Sequence, residues 1–108
     1  MKQNEFQSAE VIQLNTSVNY AQNAVVSKMV MKKPNGHVTL FAFDTGEELS
    51  EHTSPFDALV QVIDGTAEIL IFGQSFTVNT GESIILPGNV PHAVKANERF
   101  KMLLTMVK

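Results

Sequence analysis

Cysteine is absent from this 108-residue sequence, and charged residues are few. Without cysteine the chain can form no disulfide, no thiolate metal site and no cysteine nucleophile. The lack of disulfides fits a reducing compartment. Only 18% of the residues are charged, which is low for a helical protein laced with surface ion pairs, while 44% are hydrophobic. This composition predicts one ordinary globular domain with a core of its own.

Long apolar runs are missing as well. No segment approaches the roughly 18 consecutive apolar residues of a membrane-spanning helix. Residues 1–15 also lack the apolar stretch of a secretory signal. A net charge of −3 offers no basic face to a nucleic-acid backbone. We therefore expect a cytoplasmic protein that binds neither membranes nor nucleic acids.

What the sequence does contain is a series of short segments typical of strands. Gly, Pro, Asn and Asp cluster at short intervals, and most segments between these clusters are about five to eight residues long. The segments are residues 38–43, 58–63, 67–72, 76–78, 83–86, 92–96 and 100–107. We predict a tight hairpin at residues 64–66 and, at most, one helical turn within residues 17–26. The pattern favours an all-β sandwich or a closed barrel.

The last of these segments alternates most clearly. One face carries Phe100, Met102, Leu104 and Met106, and the other carries Lys101, Leu103, Thr105 and Val107. Because the second face mixes polar and apolar side chains, we predict that this strand is covered on both sides. A subunit partner is one candidate for the second cover.

Glycines and histidines recur at two matching spacings. Gly46 is followed after five residues by His52, and Gly65 closes that stretch. Gly81 is followed after five residues by a proline, and His92 comes five positions later. These two stretches resemble the two conserved motifs of the cupin superfamily.

The resemblance implies a fold and a domain organisation. Cupins are double-stranded β-helix barrels of the jelly-roll kind. We expect one cupin domain over residues 1–108, with its first motif at residues 46–65 and its second at residues 81–96. Within the superfamily, the chain is similar to small bacterial single-domain cupins of the cupin 2 type.

The sequence departs from the family at the positions that usually bind a metal. The resemblance implies a second histidine where this chain has Ser54, and a glutamate where it has Ala58. Asp57 is adjacent but has the opposite strand parity. Of the four ligands that the family usually supplies, this chain therefore keeps only His52 and His92.

Besides a purely structural role, two interpretations of the histidine pair remain open. His52 and His92 bind a divalent transition metal (Zn, Fe, Ni or Mn) weakly, or they hydrogen-bond a ligand in a pocket that contains no cofactor. Ser54 is a poor metal ligand because its hydroxyl stays protonated, but it is a candidate pocket residue. Met102 either fills the core or lines an apolar cavity at the barrel mouth. His37 follows a turn, where a solvated histidine is common.

The leading functional prediction is a small-molecule-binding barrel whose pocket contains the histidines. One alternative is a metal-dependent enzyme, a dioxygenase or an isomerase acting on a small organic substrate. A second is a stand-alone domain that senses sugars. The sequence leaves open whether the chain catalyses a reaction and which ligand it takes. We also expect a homodimer, since cupins resembling this chain often pair through edge strands, and residues 1–25 are long enough to cross to a partner.

Overall fold

The computed structural model describes residues 6–108, and strands make up most of this part of the chain. One 3₁₀ turn, Leu14–Thr16, precedes the strands. The strands are β1 (Val25–Lys33), β2 (Gly36–Phe43), β3 (Glu48–His52), β4 (Asp57–Ile71), β5 (Gln74–Asn79), β6 (Ser83–Leu86), β7 (His92–Lys95) and β8 (Phe100–Val107). The all-β prediction is confirmed, and the ends predicted for β6 and β8 agree with the structure.

The strands form two antiparallel sheets that share β4. In sheet A the order is β1-β2-β8-β4-β6, and in sheet B it is β5-β4-β7-β3. Residues 57–65 of β4 pair with β8, whereas residues 66–71 pair with β5. The two sheets therefore curl around a common interior, which is the double-stranded β-helix barrel that the sequence predicts.

β4 passes from one sheet to the other at Gly65. The prediction of a hairpin at residues 64–66 was wrong, because β4 continues through them without reversing. Gly65 has a φ of +74°, and a Cβ at this position would lie 2.2 Å from the carbonyl oxygen of Arg99. Only glycine combines this backbone conformation with so close a neighbour. The glycine in the sequence marks a bend within a strand and not a turn between two strands.

The chain reverses seven residues later. Phe72 and Gly73 have φ values of +50° and +82°, and the flanking residues Ile71 and Gln74 pair across the ladder. Two consecutive positive φ values in a two-residue loop define a type I′ turn, whose twist suits a hairpin. This turn joins β4 to β5.

The helical turn predicted within residues 17–26 was also misplaced. The 3₁₀ turn lies earlier, where the hydroxyl of Ser17 donates to the carbonyl oxygen of Gln13 at 2.6 Å. Val25 and Val26 already belong to β1, since their branched side chains suit a strand that pairs with β2. No helix in residues 6–108 is long and apolar enough to cross a membrane.

The main hydrophobic core lies inside the barrel. It includes Phe43, Val60, Ile69 and Phe100, all fully buried. The rings of Phe43 and Phe100 stack with their centroids 4.5 Å apart. Five residues of this core also line the cavity described below: Ala58, Val60, Leu86, Val94 and Met102.

A second core covers the outer face of sheet A. Val18, Leu40 and Ala42 are fully buried there, and Val18 comes from the segment that precedes β1. Lys101 is only 9% exposed, and its ammonium lies 4.9 Å above the ring of Tyr20. The prediction that β8 is covered on both sides therefore holds for the first part of the strand, whereas Val107 at its end is 57% exposed on the outer face. In this single chain the cover comes from its own N-terminal segment, which packs Val18 against Leu40 and Ala42.

Candidate functional site

A β-bulge in β3 brings the two motif histidines to the same side of sheet B. Leu49 pairs with Val94, and the next paired residues are His52 and His92. Three steps along β3 therefore match two steps along β7. In a strand without this extra residue, His52 would lie on the opposite face from Leu49. The bulge turns it inward, and all four of these residues line one cavity.

The two imidazoles are in direct contact. Their ring centroids lie 4.4 Å apart, and the ring planes meet at 68°, an edge-to-face arrangement. His92 is only 7% exposed, whereas His52 is exposed. One ring therefore faces the interior of the barrel and the other faces its mouth.

Each ring is oriented by a backbone carbonyl two residues earlier in the chain. The Nδ1 atom of His52 lies 2.7 Å from the oxygen of Ser50, and that of His92 lies 3.2 Å from the oxygen of Val90. Because a carbonyl oxygen only accepts hydrogen bonds, Nδ1 is the donor in both. In the neutral ring the lone pair is then on Nε2, the usual arrangement for a histidine that binds a ligand or a metal.

Burial lowers the pKa of the His92 imidazole below its usual value. The hydrogen bond to the Val90 carbonyl opposes this effect, and the neighbouring His52 adds to it, because two positive rings would repel each other. The environment of His92 therefore favours its neutral form.

The cavity beneath the pair is small and otherwise apolar, with a volume of about 40 Å³. Since a buried water needs about 10–15 Å³ on this measure, the cavity has room for about three waters. Besides the histidines, it is lined by Leu49, Ala58, Val60, Leu86, Val94, Met102, Leu104 and Met106. It extends from exposed His52 to the buried side chains of Val60 and Met102.

Not every residue predicted for the pocket lines this cavity. His52, His92 and Met102 do, but Ser54 does not. The Ser54 hydroxyl accepts a hydrogen bond from the backbone N–H of Phe56 at 3.2 Å, and its carbonyl accepts one from Asn89. Ser54 therefore joins the two loops at the rim of the barrel. Ser54 was a candidate because it stands where the resemblance implies a second histidine, but β3 ends at His52, two residues before it.

The residues present do not fit the usual metal site of the family. Ala58 lines the cavity where the resemblance implies a glutamate. The Asp57 carboxylate instead accepts a hydrogen bond from the backbone of Gly88 at 2.8 Å, at the rim. Within residues 6–108, no group of three His, Cys, Asp or Glu side chains is placed to hold a metal. Two imidazoles fall short of the three protein ligands that a catalytic metal generally requires.

His37 lies near the barrel mouth but outside the cavity wall. It is half-buried, whereas the turn before it suggested a fully exposed side chain. Its Nδ1 lies 3.3 Å from the Thr39 hydroxyl, and its ring centroid lies 6.3 Å from that of Phe56. The other cavity residues of β8, Leu104 and Met106, share a face with Met102, so the alternation of that strand was the available signal for them.

A double-stranded β-helix with paired histidines on its inner face is the architecture of cupins. Residues 39–108 match the sequence model of the Cupin domain family. The chain therefore belongs to the cupin family, as the spacing of its glycines and histidines predicts. None of the curated proteins matches it significantly.

Solved structures agree with this assignment. A conserved protein of unknown function from Streptococcus pyogenes is 36% identical, with a TM-score of 0.92 over 97% of this chain and 92% of that chain. A cupin 2 conserved barrel domain protein from Leptotrichia buccalis is 45% identical, with a TM-score of 0.88. That match covers 90% of this chain and 47% of the other. A cupin superfamily protein from Desulfitobacterium hafniense shares the fold, with 23% identity and a TM-score of 0.89 over 99% of this chain and 98% of that chain.

Proposed function

We propose that this cupin barrel binds a small molecule in the cavity beneath His52 and His92. One observation carries the proposal: two imidazoles with carbonyl-anchored Nδ1 atoms lie side by side over an otherwise apolar cavity. Apolar walls with a few convergent polar groups are the usual composition of a small-molecule site. The histidines orient the bound molecule by hydrogen bonding, and the apolar side chains provide the surface that it contacts.

The metal-dependent enzyme is the less favoured alternative. Its support is the orientation of the two rings, because histidines that bind metals commonly donate Nδ1–H to a carbonyl. The described residues add no third ligand, so a metal held by this pair would need water or substrate to complete its coordination. The sugar-sensing alternative is weaker still, because apart from the two histidines the cavity wall offers no polar side chain to the several hydroxyls of a sugar.

We also propose that residues 1–108 form a single domain that pairs as a homodimer. An apolar strip on the outer face of sheet A supports the pairing: Ile85 is 65% exposed and Val107 is 57% exposed, and Leu59 lies beside them. The N-terminal segment covers the other part of this face. Size-exclusion chromatography with light scattering tests the proposal, and a single species near the chain mass of 11.9 kDa would rule it out.

Elemental analysis of untagged protein, purified without chelator, separates the binding protein from the metalloenzyme. Wild type, His52→Ala and His92→Ala would be measured together, with His37→Ala as the matched control outside the cavity. Trace metal in all four supports the proposal. A near-stoichiometric transition metal that is lost in the two cavity variants and retained in His37→Ala would overturn it in favour of the enzyme.

A further inference from the structure

The hydrogen-bonding state of the two cavity histidines restricts what they can bind. Each Nδ1 already donates to a backbone carbonyl, at Ser50 for His52 and at Val90 for His92. In the neutral rings both Nε2 atoms are therefore acceptors. Two neighbouring acceptors favour a ligand group that carries a hydrogen-bond donor and disfavour one that can only accept.

The cavity also lacks a group that would neutralise an anion. Apart from the histidines, every side chain in its wall is apolar. Arg99 and Lys101, the basic residues nearest in sequence to Met102, are engaged elsewhere. Arg99 donates to the Asp44 carboxylate at 2.8 Å, and the Lys101 ammonium donates to a backbone carbonyl of the N-terminal segment. A carboxylate or phosphate would be desolvated here without a countercharge, which carries a large free-energy cost.

The size and shape of the cavity add a third restriction. Its volume of about 40 Å³ accommodates only a few non-hydrogen atoms. The exposed ring of His52 stands at the open end, and buried Val60 forms part of the floor. A larger ligand therefore enters with one end only, while the remainder extends past His52 to the rim.

We infer that the cavity takes the neutral, hydrogen-bond-donating end of a small apolar molecule, such as a phenol or an alcohol, and discriminates against carboxylates. The donor proton is shared with the Nε2 atoms of His52 and His92, and the adjoining carbon atoms contact Met102 and the apolar wall. This inference rests on the proposed function, because it names the class of ligand for the same cavity.

Three probes of similar size test the inference: phenol, which donates a hydrogen bond, anisole, which does not, and benzoate, which is anionic. Histidine side-chain ¹H–¹⁵N spectra of chelator-treated protein would be recorded at pH 7.5 during each titration. The free protein should show the Nδ1–H tautomer at His52 and His92. Phenol should shift both Nε2 signals, anisole should bind at least about tenfold more weakly, and benzoate should leave the signals unchanged.

Variants test whether the preference for phenol over anisole depends on the imidazole rings of the cavity. His52→Leu replaces an exposed imidazole with an apolar side chain of similar size, so the variant should fold and lose the preference for phenol over anisole. His37→Ala, outside the cavity, should retain that preference. The inference would be overturned if benzoate bound as tightly as phenol or more tightly, if anisole bound as tightly as phenol, or if the free protein showed an Nε2–H tautomer. In each case the cavity would still bind ligands, but not by accepting a hydrogen bond from a neutral donor. If none of the probes shifts a histidine signal, the proposed function fails as well, because the cavity then binds none of the small molecules that its chemistry would accept.

Discussion

His52 and His92 lie directly opposite each other on β3 and β7, and their rings meet edge to face with centroids 4.4 Å apart. The bulge in β3 makes this contact possible, because it turns His52 to the face that already holds Leu49. The contact between the two rings therefore depends on the backbone pairing of β3 with β7 as well as on the two side chains. Substitutions around it have separable effects on protonation and on ligand chemistry.

The first prediction concerns the dependence of stability on pH. The pKa of His92 is lowered in the folded state, so the unfolded chain binds more protons as the pH falls below about 6.5. The contribution of His92 to the free energy of unfolding therefore falls as the pH falls. The loss is complete, and stops growing, once the pH is below the folded-state pKa. Urea unfolding at pH 7.5 and 5.5 should show a larger loss of stability for wild type than for His92→Leu. Equal losses in the two proteins would exclude a contribution from His92.

The second prediction restores a ligand that the family usually has. Ala58→Glu places a carboxylate in the cavity wall beside the two imidazoles. We expect at least about tenfold tighter Zn²⁺ binding than in wild type, measured by isothermal titration calorimetry. Ala58→Gln matches the size without the charge and should give little gain. Similar affinities for the two variants would mean that position 58 does not reach a metal held by the histidines.

The third prediction concerns the bend in β4. Gly65→Ala should destabilise the fold by at least about 3 kcal/mol, because it adds left-handed backbone strain to a clash with the Arg99 carbonyl oxygen. Gly73→Ala is the matched control. Its φ of +82° is similarly positive, but open space surrounds the new Cβ, so we expect a cost of only about 1–2 kcal/mol. Equal costs in urea unfolding would show that the close approach to Arg99 is unimportant.

The fourth prediction tests the attachment of the N-terminal segment to its own sheet. Val18 is fully buried against the outer face of sheet A, whereas Val11 is fully exposed. Val18→Ala should cost about 2 kcal/mol of unfolding free energy and increase proteolysis of this segment, while Val11→Ala should change neither. If the two variants behave alike, the segment does not contribute to the stability of the barrel.

The short strand-like segments predicted an all-β protein, and the resemblance of residues 46–65 and 81–96 to the two cupin motifs implied the particular barrel. The β6 and β8 segments were recognisable from their apolar residues and the turns around them. Gly65 was misinterpreted because a glycine indicates an unusual backbone conformation without saying whether the chain reverses there. The inward position of His52 depends on a bulge, and nothing in residues 49–52 signals one. Ser54 was chosen because it stands where the resemblance implies a histidine, and nothing in the sequence indicates that β3 ends before it.

The continuity of β4 also has a consequence for how the protein unfolds. Its fifteen residues carry hydrogen bonds of both sheets, so the two sheets share one continuous strand. We therefore expect the barrel to open as one cooperative unit, with similar protection of the amide protons on both sides of Gly65 in hydrogen exchange. Any ligand held under the histidine pair would slow that exchange across the whole barrel, including strands that never touch it.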